Sequence, residues 1–252
     1  QPPQGLWKNI LDFEIWEDGL VALTEKALLT AGGFDSQKAK SLDLPKTATK
    51  IQASPDHKYF LLTEDPANET PAHVLLYDRT SHQLFDLKSL FETTEAPLPI
   101  FGFGPKDQIF ALWEGRLYFI NAKNSSRQLL LSAVNAFKIQ GQTLYYLAQE
   151  KNSLALKLYD LETTKKTILL EGLPEFKKSE ILINPQKRIF LIGDKSIYSV
   201  GLNGLIKLAE NLSAWHIEKF EKNLSFVAGG EFWYADSQNS PELITRSSGN
   251  LS

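Results

Sequence analysis

The stretch Ser54-Pro55-Asp56-His57-Lys58-Tyr59-Phe60-Leu61-Leu62 (SPDHKYFLL) runs from a cluster of turn-forming residues directly into an apolar segment. Serine, proline and aspartate favour a tight turn, and the residues from Tyr59 to Leu62 are typical of a buried β-strand. The same combination occurs six times along the chain, at intervals of 35 to 50 residues. The six apolar segments are Leu20–Leu23, Tyr59–Leu62, Ile109–Leu112, Leu144–Leu147, Ile189–Ile192 and Leu224–Val227.

Each of these apolar segments belongs to a unit with three further strand-like segments, one before it and two after it in the chain. For the segment at Tyr59 they are Thr49–Ala53, Val74–Asp78 and Gln83–Leu87. Polar turns rich in Asp, Asn, Ser and Gly separate them, which favours β-hairpins. Helical spacing is nearly absent, and only Leu87 to Glu95 is expected to hold a short turn of helix.

Four short strands repeated six times predict an all-β chain, a β-propeller of about six four-stranded antiparallel blades. A pair of β-sandwiches is the alternative, but it does not explain a period kept six times. A seventh blade is expected if the sequence is truncated. The predicted blades cover residues 10–45, 49–90, 98–132, 136–171, 179–209 and 214–246, with a linker at 1–9 and a linker or the start of a further strand at 247–252.

Composition narrows the classes of function. A net charge of -3 and a pI near 5.9 give no electrostatic footprint for nucleic acid. No apolar run approaches the roughly 20 residues of a membrane-spanning helix, so no membrane span is predicted. Cysteine is absent, which excludes disulfides and thiolate metal sites. Methionine is also absent and the chain opens Gln1-Pro2-Pro3-Gln4-Gly5, so we expect a processed or partial chain whose upstream part carries a signal, an anchor or another domain.

The segment Ser54–Tyr59 resembles the Ser-Pro-Asp-Gly-Lys turn of TolB and WD40-like (PD40-type) propeller repeats. The hairpin residues Leu76–Thr80 and Leu158–Thr163 resemble the strand ends that follow this turn. The chain departs from the family at His57, where the repeat usually has glycine, and it lacks the Gly-His and Trp-Asp signatures of true WD40 repeats. The resemblance implies the fold and leaves the function open. The Pro-rich opening and the repeats are also similar to propellers of bacterial envelope proteins, which implies a place in the cell envelope or outside the cell.

No sequence motif of a nucleophilic, zinc-dependent or nucleotide-binding enzyme occurs. The four histidines, at 57, 73, 82 and 216, are scattered across the repeats, and only His216 falls in a first-strand segment. A metal site in a propeller channel needs ligands at equivalent first-strand positions, so no metal site and no cofactor are expected.

Acidic loops are the better candidates for a binding site. In a propeller, the loops from second to third strands and from fourth strands to the next blade share one mouth of the channel. An acidic rim is therefore expected over the second and third blades, where carboxylates attract a cation or a basic ligand. The simpler interpretation is that these charges only solvate the loops. The candidate ligand- or partner-binding residues are Glu64, Asp65, Glu69, Glu92, Glu95, Trp113, Arg116 and Glu150.

These observations favour a non-enzymatic propeller that presents loops to a protein or to a surface polymer. The alternative is a propeller enzyme, a hydrolase or lyase, or the regulatory domain of one, with an acidic, calcium-binding channel mouth. A third interpretation is a structural repeat domain that separates an anchor from a partner. No catalytic residue is assigned on any of these interpretations.

Overall fold

The computed structural model describes residues 9–17, 19–32, 40–64, 73–91, 99–121, 124, 126–184, 186–201, 204–217, 224–235 and 241–246. It contains six four-stranded antiparallel sheets, in which each strand pairs with the next strand in the chain. The prediction of an all-β chain with six four-stranded units is confirmed, and this is the sheet composition of a six-bladed β-propeller. The chain divides into two compact units, residues 1–130 and residues 131–252.

The first unit holds sheets 1 to 3. Sheet 1 contains β1 (Asp12–Trp16), β2 (Gly19–Leu23), β3 (Ala27–Gly32) and β4 (Lys40–Asp43). Sheet 2 contains β5 (Lys50–Ala53), β6 (Tyr59–Thr63), β7 (Val74–Asp78) and β8 (Gln83–Asp86). Sheet 3 contains β9 (Ile100–Phe103), β10 (Ile109–Trp113), β11 (Arg116–Asn121) and β12 (Ser126–Ser132), whose end crosses the boundary between the units. The helical turn expected after β8 is a 3-10 helix at Leu87–Phe91.

The second unit holds sheets 4 to 6. Sheet 4 contains β13 (Val134–Gln140), β14 (Thr143–Gln149), β15 (Leu154–Asp160) and β16 (Lys166–Leu173). Sheet 5 contains β17 (Ser179–Ile183), β18 (Ile189–Gly193), β19 (Ser196–Gly201) and β20 (Gly204–Glu210). Sheet 6 contains β21 (Leu212–Ile217), β22 (Leu224–Ala228), β23 (Glu231–Ala235) and β24 (Glu242–Arg246).

The continuous apolar segments are second strands because neighbouring sheets cover both of their faces. In β6, Phe60 and Leu62 belong to the apolar cluster between sheets 1 and 2. Tyr59 and Leu61, which point to the opposite face, belong to the cluster between sheets 2 and 3. Corresponding clusters lie between sheets 4 and 5 and between sheets 5 and 6. A strand packed on both faces has no position for a polar side chain, so the apolar run is unbroken.

The Ser54 turn joins β5 to β6, as predicted, and Ser54 is the residue that organises it. Its buried hydroxyl oxygen accepts hydrogen bonds from the amides of Lys58 at 3.1 Å and Tyr59 at 3.0 Å. Asn184 has the same role in the turn before β18, where its side-chain oxygen accepts from Gln186 and Arg188. His57 takes a left-handed conformation with φ 51°, which explains why glycine suits this position in related turns.

Substituting Ser54 with alanine is expected to lower the free energy of unfolding by about 1–3 kcal/mol. The change leaves the partly buried amide of Lys58 and the buried amide of Tyr59 without their acceptor. Denaturant unfolding measures the loss, with the exposed Ser81→Ala as the control, for which about 0.5 kcal/mol or less is expected. Equal effects of the two substitutions would contradict the role assigned to Ser54.

Candidate functional site

The predicted acidic rim lies only partly within the described residues. Asp65, Glu69, Glu92 and Glu95 lie outside them. Glu64, Trp113, Arg116 and Glu150 are described, and each is placed by its own local surroundings. Whether any of them binds a partner stays a prediction.

Glu64 belongs to a mixed-charge cluster at the end of β6. Its carboxylate accepts a hydrogen bond from the Thr47 hydroxyl at 2.7 Å. Nearby, the Lys46 ammonium group donates to Asp86 Oδ2 at 2.7 Å and lies 2.7 Å from His73 Nδ1. Burial, and then the positive charge of Lys46, lower the pKa of His73, so a neutral imidazole accepts from the ammonium group. The cluster therefore offers balanced charge and not a purely acidic rim.

Trp113 and Arg116 close the hairpin between β10 and β11, where they pair directly. Glu114 and Gly115 both have positive φ, at 49° and 70°, as in a type I′ turn. The Trp113 ring packs edge-on against Phe91 with centroids 5.4 Å apart, and the guanidinium group of Arg127 lies 5.5 Å from its centre. The indole is thus held within the first unit from two sides, while Arg116 is exposed.

Glu150 lies in the turn between β14 and β15. Its carboxylate accepts from the Lys157 ammonium group at 2.5 Å, and this bond raises the pKa of Lys157. Close by, the Gln149 amide donates to Glu175 Oε1 at 2.9 Å. Because Glu150 is exposed and paired with a cation of its own hairpin, its charge is largely neutralised locally.

A different group of side chains converges on the first strands of the second unit. Lys138 on β13, Glu180 on β17 and Trp215 on β21 come from three successive sheets and interact around the Glu180 carboxylate. The Trp215 indole N–H donates a hydrogen bond to that carboxylate, and the Lys138 ammonium group attracts it. We call these three residues the first-strand cluster.

The Glu180 carboxyl group is the titratable centre of this cluster. Glu180 is exposed at the first strand of sheet 5, and its carboxyl group is partly desolvated there. This desolvation raises the pKa of Glu180, although Lys138 and the Trp215 hydrogen bond act in the opposite direction. Trp215 keeps 41% of its surface exposed. The cluster thus combines an exposed aromatic ring of fixed orientation with a carboxylate and an ammonium group.

Substituting Glu180 with glutamine is expected to stabilise the protein at pH 7 more than at pH 4.5. A raised carboxyl pKa means that the folded state binds the proton more tightly than the unfolded state does. The stability that this group contributes is complete at low pH and is lost as pH rises through the folded-state pKa. Glutamine does not titrate, so it removes this loss of stability at higher pH. Its side-chain amide oxygen can still accept a hydrogen bond from the Trp215 N–H.

Urea unfolding of the wild type and Glu180→Gln at the two pH values measures this difference. Glu162→Gln, on the exposed turn after β15, controls for the removal of one surface charge. If Glu180→Gln lowers stability at pH 7, attraction by Lys138 dominates over desolvation and the expectation is wrong.

The candidate carboxylates predicted from the sequence lie on loops, and Glu180 is not among them. A signal was present, because Lys138, Glu180 and Trp215 all fall in the predicted first-strand segments. Among the described residues, no group of three or more His, Cys, Asp or Glu side chains is arranged to hold a metal ion. No helix in the described part of the chain is long and apolar enough to cross a membrane.

Comparison with known proteins identifies the fold and no family. No protein-family model and no curated protein matches the chain. Among solved structures, U3-55K is 11% identical with a TM-score of 0.54, over 96% of this chain and 82% of its own. Hsv2 of Kluyveromyces lactis is 12% identical with a TM-score of 0.56, over 92% of this chain and 74% of its own.

The extracellular domain of the hybrid two component system BT3049 from B. thetaiotaomicron is likewise similar. It is 12% identical with a TM-score of 0.55, over 98% of this chain but only 36% of that one. At identities this low, the structural similarity shows a shared fold and carries no information about function. Membership of the TolB-like family therefore stays a prediction.

Proposed function

We propose that this chain is a non-enzymatic β-propeller binding module that holds a protein or a surface polymer. The observation that carries the proposal is the first-strand cluster, in which an exposed indole is hydrogen-bonded to the Glu180 carboxylate, which the Lys138 charge attracts. Tryptophan is enriched at the centres of protein interfaces, since its large ring loses little conformational freedom on binding. The hydrogen bond to Glu180 orients the ring before a partner arrives, which lowers the entropic cost of binding.

Considered by itself, the first unit also exposes aliphatic and aromatic side chains on its first strands, and these favour a protein as a partner. Ile100 is 61% exposed, and Phe13 and Ile15 are about half exposed. On β1 the usual pattern is inverted, since Asp12 is less exposed and its carboxylate accepts from the amide of Ile51 at 2.7 Å. Exposed isoleucines add apolar area for a protein surface, whereas a polysaccharide is held mainly by hydrogen bonds and aromatic stacking.

The proposed location is the cell envelope or the extracellular space. It is supported by the likeness of the Ser54–Tyr59 turn to repeats of envelope propellers. Fractionation of the source cells tests it, and recovery of the protein only with the cytosolic fraction would overturn it.

The experiment that tests the proposed function presents the purified chain to a peptide display library and to a glycan array. Specific binding that Lys138→Glu weakens supports the proposal, and the type of ligand separates a protein partner from a polymer. The exposed Lys151→Glu, in a turn of the same unit, is the matched charge control. Ligands that bind both variants equally would contradict the assignment of the cluster.

An enzymatic function remains the second candidate because the pKa of Glu180 is raised. A raised carboxyl pKa is a feature of the general acids of hydrolases. Assays against lactone, glycan and peptide substrates, with and without Ca²⁺, test this candidate. Turnover that Glu180→Gln abolishes would replace the binding proposal, and absence of turnover together with absence of calorimetric Ca²⁺ binding would eliminate the calcium-dependent enzyme.

A further inference from the structure

A cleft of about 340 Å³ opens in the first unit, apart from the cluster described above. It involves residues from the turns that join first to second strands in sheets 2 and 3. Its volume is at the lower end of the range for small-molecule sites. The wall includes the partly exposed Phe119 on β11, backed by Tyr59, Ile109 and Ile120, which are buried in the core between sheets 2 and 3. The cleft therefore combines a rigid apolar wall with an open rim.

Two ammonium groups belong to this rim. Lys58 and Lys106 both contribute to the cleft, and the Lys58 Nζ atom lies 5.0 Å from the centre of the Tyr59 ring. Neither lysine forms an ion pair with a carboxylate in the described part of the chain.

Asp107 is the one carboxylate among the described residues that line the cleft, and it accepts a hydrogen bond from the neighbouring turn. Its Oδ1 atom accepts a hydrogen bond from the amide of Asp56 at 3.3 Å. Lys106 and Asp107 both have left-handed backbones, with φ 53° and 55°, a conformation that is strained for residues other than glycine. The formal charge of the three side chains is +1, so the rim favours an anion.

We propose that this cleft binds a compact anion, a phosphate or carboxylate group, carried on a small apolar body. The lysines supply point charges for the anion, and the partly exposed Phe119 ring supplies apolar contact for the body that carries it. This inference goes beyond the proposed function, since it concerns a different unit and a small ligand. The outcome of its test does not depend on the first-strand cluster.

Calorimetry with phenyl phosphate, benzoate, inorganic phosphate and benzyl alcohol tests the proposal on the full chain. We expect phenyl phosphate or benzoate to bind, inorganic phosphate to bind more weakly, and benzyl alcohol not to bind. Whichever aromatic anion binds more tightly identifies the preferred group. The double substitution Lys58→Ala/Lys106→Ala is expected to weaken binding at least about tenfold. Lys187→Ala, in the corresponding turn of sheet 5, is the matched control and is expected to leave the affinity unchanged.

The variant Asp107→Asn tests whether the cleft prefers a negatively charged ligand. Removal of a negative charge from the rim is expected to strengthen anion binding about two- to fivefold, and added salt is expected to weaken it. Absence of binding by both aromatic anions at millimolar concentration would overturn the proposal. So would equal affinity in the double lysine variant, or weaker anion binding in Asp107→Asn.

Discussion

Phe60→Ala is expected to lower the free energy of unfolding by about 3–5 kcal/mol, the largest effect on stability that we anticipate. The Phe60 side chain is completely buried in the cluster between sheets 1 and 2. Its ring lies 5.7 Å from that of Trp16 and 6.2 Å from that of Tyr77, measured between centroids. Alanine would leave a cavity lined by aromatic rings that cannot collapse to fill it.

Denaturant unfolding monitored by circular dichroism measures the loss. Phe60→Leu keeps much of the apolar volume and is expected to cost clearly less than alanine. Phe13→Ala removes the same side chain from an exposed position on β1, and a change of about 0.5 kcal/mol or less is expected there. A cost at Phe60 no greater than that at Phe13 would contradict the packing of sheet 1 on sheet 2.

Trp215→Ala is expected to weaken binding of the selected partner at least about thirtyfold, since interface hot spots contribute about 2 kcal/mol or more. The substitution removes the exposed ring and the hydrogen bond to Glu180. Because the ring is 41% exposed, its loss is expected to reduce stability much less than it reduces affinity. Fluorescence anisotropy with a labelled partner measures the affinity.

Ile206→Ala is the matched control for Trp215→Ala. Ile206 is also an exposed apolar residue of the second unit, but it lies on β20, the last strand of its sheet. We expect its substitution to leave the affinity unchanged. Equal losses for the two variants would indicate a partner surface that does not centre on the first-strand cluster.

The sequence predicts the second strands well because packing on both faces makes them uninterrupted apolar runs. Tyr59–Leu62 and Ile189–Ile192 show this in β6 and β18. The turn before β6 was equally predictable, because Ser54, Pro55 and Asp56 each favour a turn for a local reason. These features depend on residues close together in the chain.

The boundaries of the strands that link one sheet to the next are harder to predict from the sequence. One residue with positive φ, Ala133 or Asn211, lies between the last strand of one sheet and the first strand of the next. As a result, β13 begins at Val134 and β21 at Leu212, whereas the repeat pattern placed these starts at 136 and 214. Alanine carries no turn signal, so nothing local marks the link at 133.

The sequence assigns the members of the first-strand cluster to first strands but does not show that they meet, because they are far apart in the chain. Lys138, Glu180 and Trp215 meet only because three successive sheets place their first strands side by side. The sequence also gives no reason to expect a shifted pKa at Glu180, because the residues that interact with its carboxyl group, Lys138 and Trp215, belong to other strands. The cluster is a property of tertiary structure.

Hydrogen–deuterium exchange of the full chain, with and without a partner selected by display, tests the central claim most directly. If the chain is a binding module that uses the first-strand cluster, amides of β17 and β21 will exchange more slowly in the complex, and β20 will not change. Protection confined to other strands, with β17 and β21 unaffected at saturating partner, would contradict the account.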